Sequence, residues 1–183
     1  MDHLIEKTLS KKTIFEGKVI DLHIEEVELP NGKPSTREII KHPGAVAILA
    51  ITDENKIVMV QQYRKALEKV IVEIPAGKLE KGEKPKDTAR RELEEETGYI
   101  CENLAPLTSF YTSPGFADEL VHVYLAKGLS KKENPASLDE DEFVDVLELT
   151  IEQAITYIKE QKIHDAKTAF AVQYLQLQQA LGE

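Results

Sequence analysis

Tryptophan is absent from this chain, cysteine occurs once and methionine twice. A single cysteine, Cys101, excludes an intrachain disulfide and fits a reducing compartment. Its position reads as that of a small buried apolar residue rather than a nucleophile. No apolar run approaches the roughly 20 residues that a membrane-crossing helix needs. The N-terminus, MDHLIEKTLSKKT, has no basic stretch followed by an apolar core, so no secretory signal is expected and the expected location is the cytoplasm. Positive charge is also scarce: 23 Lys and Arg against 33 Asp and Glu leave a net charge of −10, with a pI near 5.1. Without a basic surplus to neutralise phosphates, neither nucleic acid nor an anionic membrane is an expected partner. A small anionic substrate would need a local metal ion or arginine to offset the overall field.

What remains is 183 residues, enough for one domain with a good core, or one domain plus a small appendage. Residues 12–29 alternate as strands around a turn at Gly17, and Pro30-Asn31-Gly32-Lys33 signals a hairpin whose return strand covers 36–42. Ala45–Ile51 is a continuous apolar run, hence a buried strand, with Lys56–Tyr63 as its partner and a short strand over 70–75. Asn103–Pro106 is expected to break the chain, with strands over 107–112 and 119–126. Residues 128–142 read as a polar loop and 143–149 as a last strand. Thr150 with Gln153 fits a capping box opening a helix over 151–160. A second helix over 166–181 carries Phe170, Tyr174, Leu177 and Leu181 as its apolar stripe. This order predicts an α+β fold, or a three-layer α/β/α sandwich around a mixed sheet.

The informative stretch is Gly77 to Tyr99, GKLEKGEKPKDTARRELEEETGY. Pro85 suits the first position of a helix, where its missing N–H costs nothing, and Gly98 suits a left-handed stop after Thr97. On that helix Glu92, Glu95 and Glu96 are spaced i, i+3 and i+4 and share a face. The ordinary reading is a solvated surface, since Asp87–Arg91, Arg90–Glu94 and Arg91–Glu95 are i, i+4 pairs of opposite charge. Convergent carboxylates, however, repel by roughly 1–4 kcal/mol per contact at about 4 Å. A hard divalent cation with oxygen ligands is the natural relief, and Glu83, on the preceding loop, is placed to join them.

The whole spacing decides between these readings. Gly77, five residues, Glu83, seven residues, Arg91-Glu92-Leu93, one residue, Glu95-Glu96, one residue, Gly98 and Tyr99: this resembles the Nudix box, with Tyr99 the one departure, where an aliphatic residue is more usual. The resemblance implies the Nudix fold over residues 44–183. It also implies that residues 1–43 form antiparallel strands that help build a homodimer and a nucleoside pocket. Pro114, sixteen residues beyond Gly98, together with IPAG (Ile74–Gly77) and QQYR (Gln61–Arg64), is similar to the ADP-ribose pyrophosphatases of that family.

The activity so implied is hydrolysis of ADP-ribose to AMP and ribose 5-phosphate with two or more Mg²⁺, or Mn²⁺, ions. Glu92 and Glu96 are the implied direct ligands, with Glu95 sharing or supporting and the Ala76 carbonyl contributing. Arg91 would orient the glutamates. A general base on a loop outside the box is implied, and LDEDEF offers Glu140 and Glu142, of which Glu142 is preferred. Arg64 and Arg37 are candidates for pairing with phosphate, and Glu38 for contact with ribose or adenine. None of the five histidines has ligand spacing. ADP-glucose, GDP-mannose and NADH are the alternative substrates. A non-catalytic ADP-ribose sensor is the alternative outside enzymes, although loss of box glutamates is its usual mark and here all are present.

Overall fold

The computed structural model describes residues 2–138 and 142–182. They fall into two compact units, one made of Met1–Gly44 with Phe110–Val121, the other of Ala45–Ser109 with His122–Glu183.

In the first unit, β1 (Lys7–Glu16), β2 (Asp21–Glu28) and β3 (Pro34–Lys41) form an antiparallel sheet in the order β1-β2-β3. The hairpin after β2 closes through the Leu29 N–H to the Lys33 carbonyl, and Gly32 supplies its positive φ of 78°. β1 is exposed along its whole length. The expectation placed 44–183 in one domain, yet Phe110–Val121 groups with the N-terminal strands. Backbone bonding explains this: Ile40 donates to the Phe116 carbonyl and accepts from Asp118. The Asp118 carboxylate receives the His42 N–H at 2.9 Å and Lys41 Nζ at 2.8 Å.

The second unit is organised by a sheet in the order β10-β5-β4-β9-β8. Its strands are β4 (Ala45–Ile51), β5 (Ile57–Arg64), β8 (Tyr99–Tyr111), β9 (Leu120–Lys131) and β10 (Val144–Leu149). β6 (Lys69–Glu73) pairs with β5 and β7 (Ala76–Lys78) with β4, both antiparallel. Three helices complete it: α1 (Pro85–Thr97), α2 (Ile151–Lys159) and α3 (Ala166–Leu181). Val46 to Ala50 is wholly buried on both faces, as a strand between layers must be. Val46, Ile48 and Ala50 share a core with Ala89 and Leu93 of α1 and with Tyr99, Cys101, Leu104, Tyr124 and Ala126. Burying Leu93 completely stabilises the fold by roughly 1.5–3 kcal/mol.

Two expectations are corrected. The chain does not break at Asn103–Pro106: β8 runs straight through Pro106, in the terminal strand of its sheet, where proline is tolerated. The stripe expected on α3 is not its buried face either. Leu177 and Leu181 are exposed, whereas Thr168, Ala171 and Val172 are buried, because close approach of a helix to its neighbours favours small residues. The capping box is present in full, Thr150 Oγ1 accepting from the Gln153 N–H and Gln153 Oε1 from the Thr150 N–H. Replacing Thr150 by Ala should cost about 1 kcal/mol of unfolding free energy in urea titration and lower Tm by about 2–4 °C.

Candidate active site

Local rules produce the helix that carries the site. Lys84 is extended, Pro85 begins α1, and Gly98 at φ 69° ends it by donating to the Glu94 carbonyl at 2.8 Å. The buried face of α1 holds Thr88, Ala89, Glu92, Leu93, Glu96 and Thr97. Two glutamates thus stand where an amphipathic helix would place apolar side chains, at 6% and 4% exposure. Burial in a low-dielectric setting pushes the Glu92 carboxyl up to about 7 and that of Glu96 to about 8, and each is raised further by the other acids nearby.

The strand opposite is fitted to them. The Ala76 N–H donates to Glu96 Oε2 at 3.0 Å. At Gly77 a β-carbon would lie 1.9 Å from the Glu92 carboxyl carbon. The φ of Gly77 is not positive, and what the residue provides is room for the Glu92 carboxylate. Arg91 supplies the one cation built into the helix face. Its Nη1 donates to Glu92 Oε1 and Glu95 Oε2, both at 2.8 Å, while Nε and Nη2 hold the two oxygens of Glu83 at 3.1 Å. Glu83 therefore folds back as the sequence suggested, and the guanidinium holds its carboxyl below the usual range.

These bonds leave Glu92 Oε2 and Glu96 Oε1 without a hydrogen-bond partner among the described residues. No three His, Cys, Asp or Glu among the described residues converge into a ready-made metal shell, because Arg91 draws Glu95 and one oxygen of Glu92 to itself. The donor set still fits a hard divalent cation: two buried carboxylates, each keeping an oxygen, against a wall cleared of side chain at Gly77.

The other expected residues divide between the units. Glu142 is exposed, and its charge raises the carboxyl pKa of both Glu92 and Glu96, so it lies within electrostatic range of the pair. Glu140 lies outside the described residues. Arg64, at the end of β5, is half-exposed and its charge favours ionised Glu96. Arg37, Glu38 and Pro114 belong to the first unit. Arg37 there forks onto Glu6, with Nε at 2.9 Å from Oε2, Glu38 is exposed opposite Ile24, and Pro114 is exposed in the turn closed by Ser113 and Phe116. Sequence reasoning missed Glu73, which is 3% exposed and holds Arg64. A lone acid interrupting the apolar run Val70–Ile74 was the available signal.

A helix face of buried acids, propped by an internal arginine and fitted against a glycine, has the oxygen-donor chemistry that suits a hard divalent cation. A family model described as NUDIX domain matches residues 41–171, and one described as nucleoside diphosphate sugar hydrolase N-terminal domain matches residues 6–40. The chain belongs to the Nudix family of pyrophosphohydrolases. It is 69% identical to a methanol dehydrogenase activator of Bacillus methanolicus, over 96% of this chain and 95% of that one. It is 65% identical to an ADP-ribose pyrophosphatase of Bacillus subtilis (strain 168), over 99% and 98%. A crystal structure of an ADP compounds hydrolase, 18% identical, superposes over 97% of this chain and 96% of the other with a TM-score of 0.83, which shows the shared fold.

The raised carboxyls give stability a pH dependence of definite sign. Between the ordinary value of 4.5 and the folded values of about 7 and 8, the folded protein holds protons that the unfolded chain has released. Stability is therefore full below about pH 4.5 for these groups and falls as pH rises towards 8. In EDTA, calorimetric Tm should fall between pH 5.5 and 8.5, and added Mg²⁺ should reduce that fall. A Tm independent of pH and of metal would contradict the assignment.

Proposed function

We propose that this chain hydrolyses the pyrophosphate bond of ADP-ribose to AMP and ribose 5-phosphate in a Mg²⁺-dependent reaction. The observation that carries the reading is the buried pair Glu92 and Glu96, the first beside Gly77 and the second against the Ala76 N–H, each with an oxygen left over. The 65% identity to an ADP-ribose pyrophosphatase over nearly the whole of both chains supports the choice of substrate, and Pro114 in its place after the box agrees with it.

Glu92 and Glu96 would hold the metal, with Glu95 and the Ala76 carbonyl assisting. When bound, the metal supplies charge neutralisation at the diphosphate and orients a water for in-line attack. The chain's residues do the rest. Arg91 keeps Glu92 and Glu95 in place. Glu142 accepts the proton of the attacking water, with Glu140 as the alternative base. One P–O bond to the bridging oxygen breaks as the new P–O bond forms, and the bridging oxygen leaves with the other phosphate. Arg64 pairs with phosphate oxygens. A cytoplasmic homodimer joined through the N-terminal strands belongs to the same reading, in keeping with the exposed β1.

A second reading, that the chain activates a dehydrogenase, is favoured by the 69% identity to a protein of that name. Turnover of ADP-ribose, ADP-glucose, GDP-mannose and NADH with Mg²⁺, alongside a dehydrogenase rate measured with and without the chain, separates the two. ADP-ribose among the best substrates is the expected outcome. Glu92→Gln and Glu96→Gln should each reduce turnover by about 10²-fold or more while leaving the circular dichroism spectrum intact. Near-normal rates in both would reject the metal site. Gly77→Ala, which forces the Glu92 carboxylate aside, should cost on the order of 10²-fold in kcat without unfolding the chain.

A further inference from the structure

Glu73, at 3% exposure, is the most deeply buried acid among the described residues, and the reaction above does not use it. It ends β6, where it pairs across from Val60 of β5. Val60, Gln62 and Arg64 share one face of β5, so Glu73 and Arg64 lie on the same side of the ladder, about 13 Å apart along the strand at roughly 3.3 Å per residue. Their two long side chains close that gap: Arg64 Nε donates to Glu73 Oε2 at 2.6 Å. Glu73 Oε1 receives Lys167 Nζ from the first turn of α3. Lys167 also reaches Asp165 Oδ1 at 2.9 Å, and the same oxygen caps α3 by accepting the Thr168 N–H at 3.1 Å. Thr168 Oγ1 in turn accepts the Ile74 N–H at 3.1 Å, two residues before the Ala76 N–H that holds Glu96.

The arginine is therefore gripped by one of its three nitrogens only. Among the described residues its two Nη groups have no hydrogen-bond partner, and the side chain remains half-exposed. Its charge and that of Glu96 act on each other. An arginine held by Nε presents a planar two-nitrogen fork in a fixed orientation, which is the geometry that meets two oxygens of one phosphate. A carboxylate shared between two cations is an economical way to make such a grip rigid, since the lysine neutralises the oxygen that the arginine does not use.

We propose that Glu73, braced by Lys167, is a positioning residue that orients Arg64 so that its two Nη groups receive the diphosphate of the substrate. The inference rests on the hydrolase reading. It predicts a loss expressed in substrate binding rather than in the chemical step, and a loss transmitted wholly through Arg64.

The test is a kinetic double-mutant cycle on the full chain with Mg²⁺ and ADP-ribose, using Glu73→Gln, Arg64→Ala and the double variant. Glu73→Gln should raise KM about tenfold, the value of one charge-assisted hydrogen bond, with kcat changed by less than about threefold. In the Arg64→Ala background the same substitution should leave KM unchanged. A purely structural role would raise KM, or lower kcat, equally in both backgrounds and would overturn the proposal; so would an unchanged KM in a folded Glu73→Gln. If Glu73→Gln does not fold, Glu73→Asp, which keeps the charge and shortens the reach, carries the same cycle with the same expectations. Absence of turnover by the unaltered chain on every compound of the panel would overturn the hydrolase reading and this proposal with it. A normal parent enzyme with additive variants would overturn the proposal alone.

Discussion

Two carboxylates withdrawn from water on the inner face of α1 are the constraint to which the rest of the molecule answers. A helix that buries Glu92 and Glu96 forgoes apolar packing at two of its best positions and leaves like charges close together in a poor dielectric. The surroundings offset this in three ways. Arg91 threads back between Glu83, Glu92 and Glu95, the Ala76 N–H meets Glu96, and the backbone at Gly77 carries no side chain to obstruct Glu92. None of these satisfies the last oxygen of each buried acid. Under the proposed function, those two oxygens are where a divalent cation would be held.

The same logic explains why so rigid a frame surrounds it. β4 is buried on both faces, α1 packs Ala89 and Leu93 onto that strand, and β7 is zipped to the other end of β4 at Ala47–Ala76 and Val46–Gly77. The glutamates on α1 and the backbone of β7 are consequently fixed to the same strand from two directions. On the far side, α3 reaches the site through Thr168 and Ile74 and through Lys167 and Glu73, so a helix remote in sequence sets the position of the strand end from which β7 begins.

What could be read in the sequence was what local chemistry decides. Pro85 and Gly98 mark both ends of α1 because first-position proline and left-handed glycine are properties of one residue and its neighbours. Thr150 with Gln153 marks the start of α2 for the same reason. The acidic spacing was legible because helix geometry converts i, i+3 and i+4 into a shared face. What escaped was decided by partners distant along the chain. The grip of Glu73 on Arg64 involves residues of two strands and a helix nearly a hundred positions on, and a lone glutamate after an apolar run does not announce it. The need for glycine at Gly77 comes from a side chain fifteen residues away, Glu92, and so is not visible locally. Phe110–Val121 was assigned with its sequence neighbours, whereas its backbone bonds to Ile40 place it with the N-terminal strands. The α3 stripe misled because large apolar residues attract attention, while the face that packs is made of Thr168, Ala171 and Val172.

Pro106 in β8 carries a further meaning. β8 ends the order of described strands in its sheet, and a long terminal strand offers a row of unused amides to which a strand from a neighbouring molecule can be added. Sheets admit proline chiefly on such strands, so the residue that reads as a break in the chain instead marks the margin of the sheet.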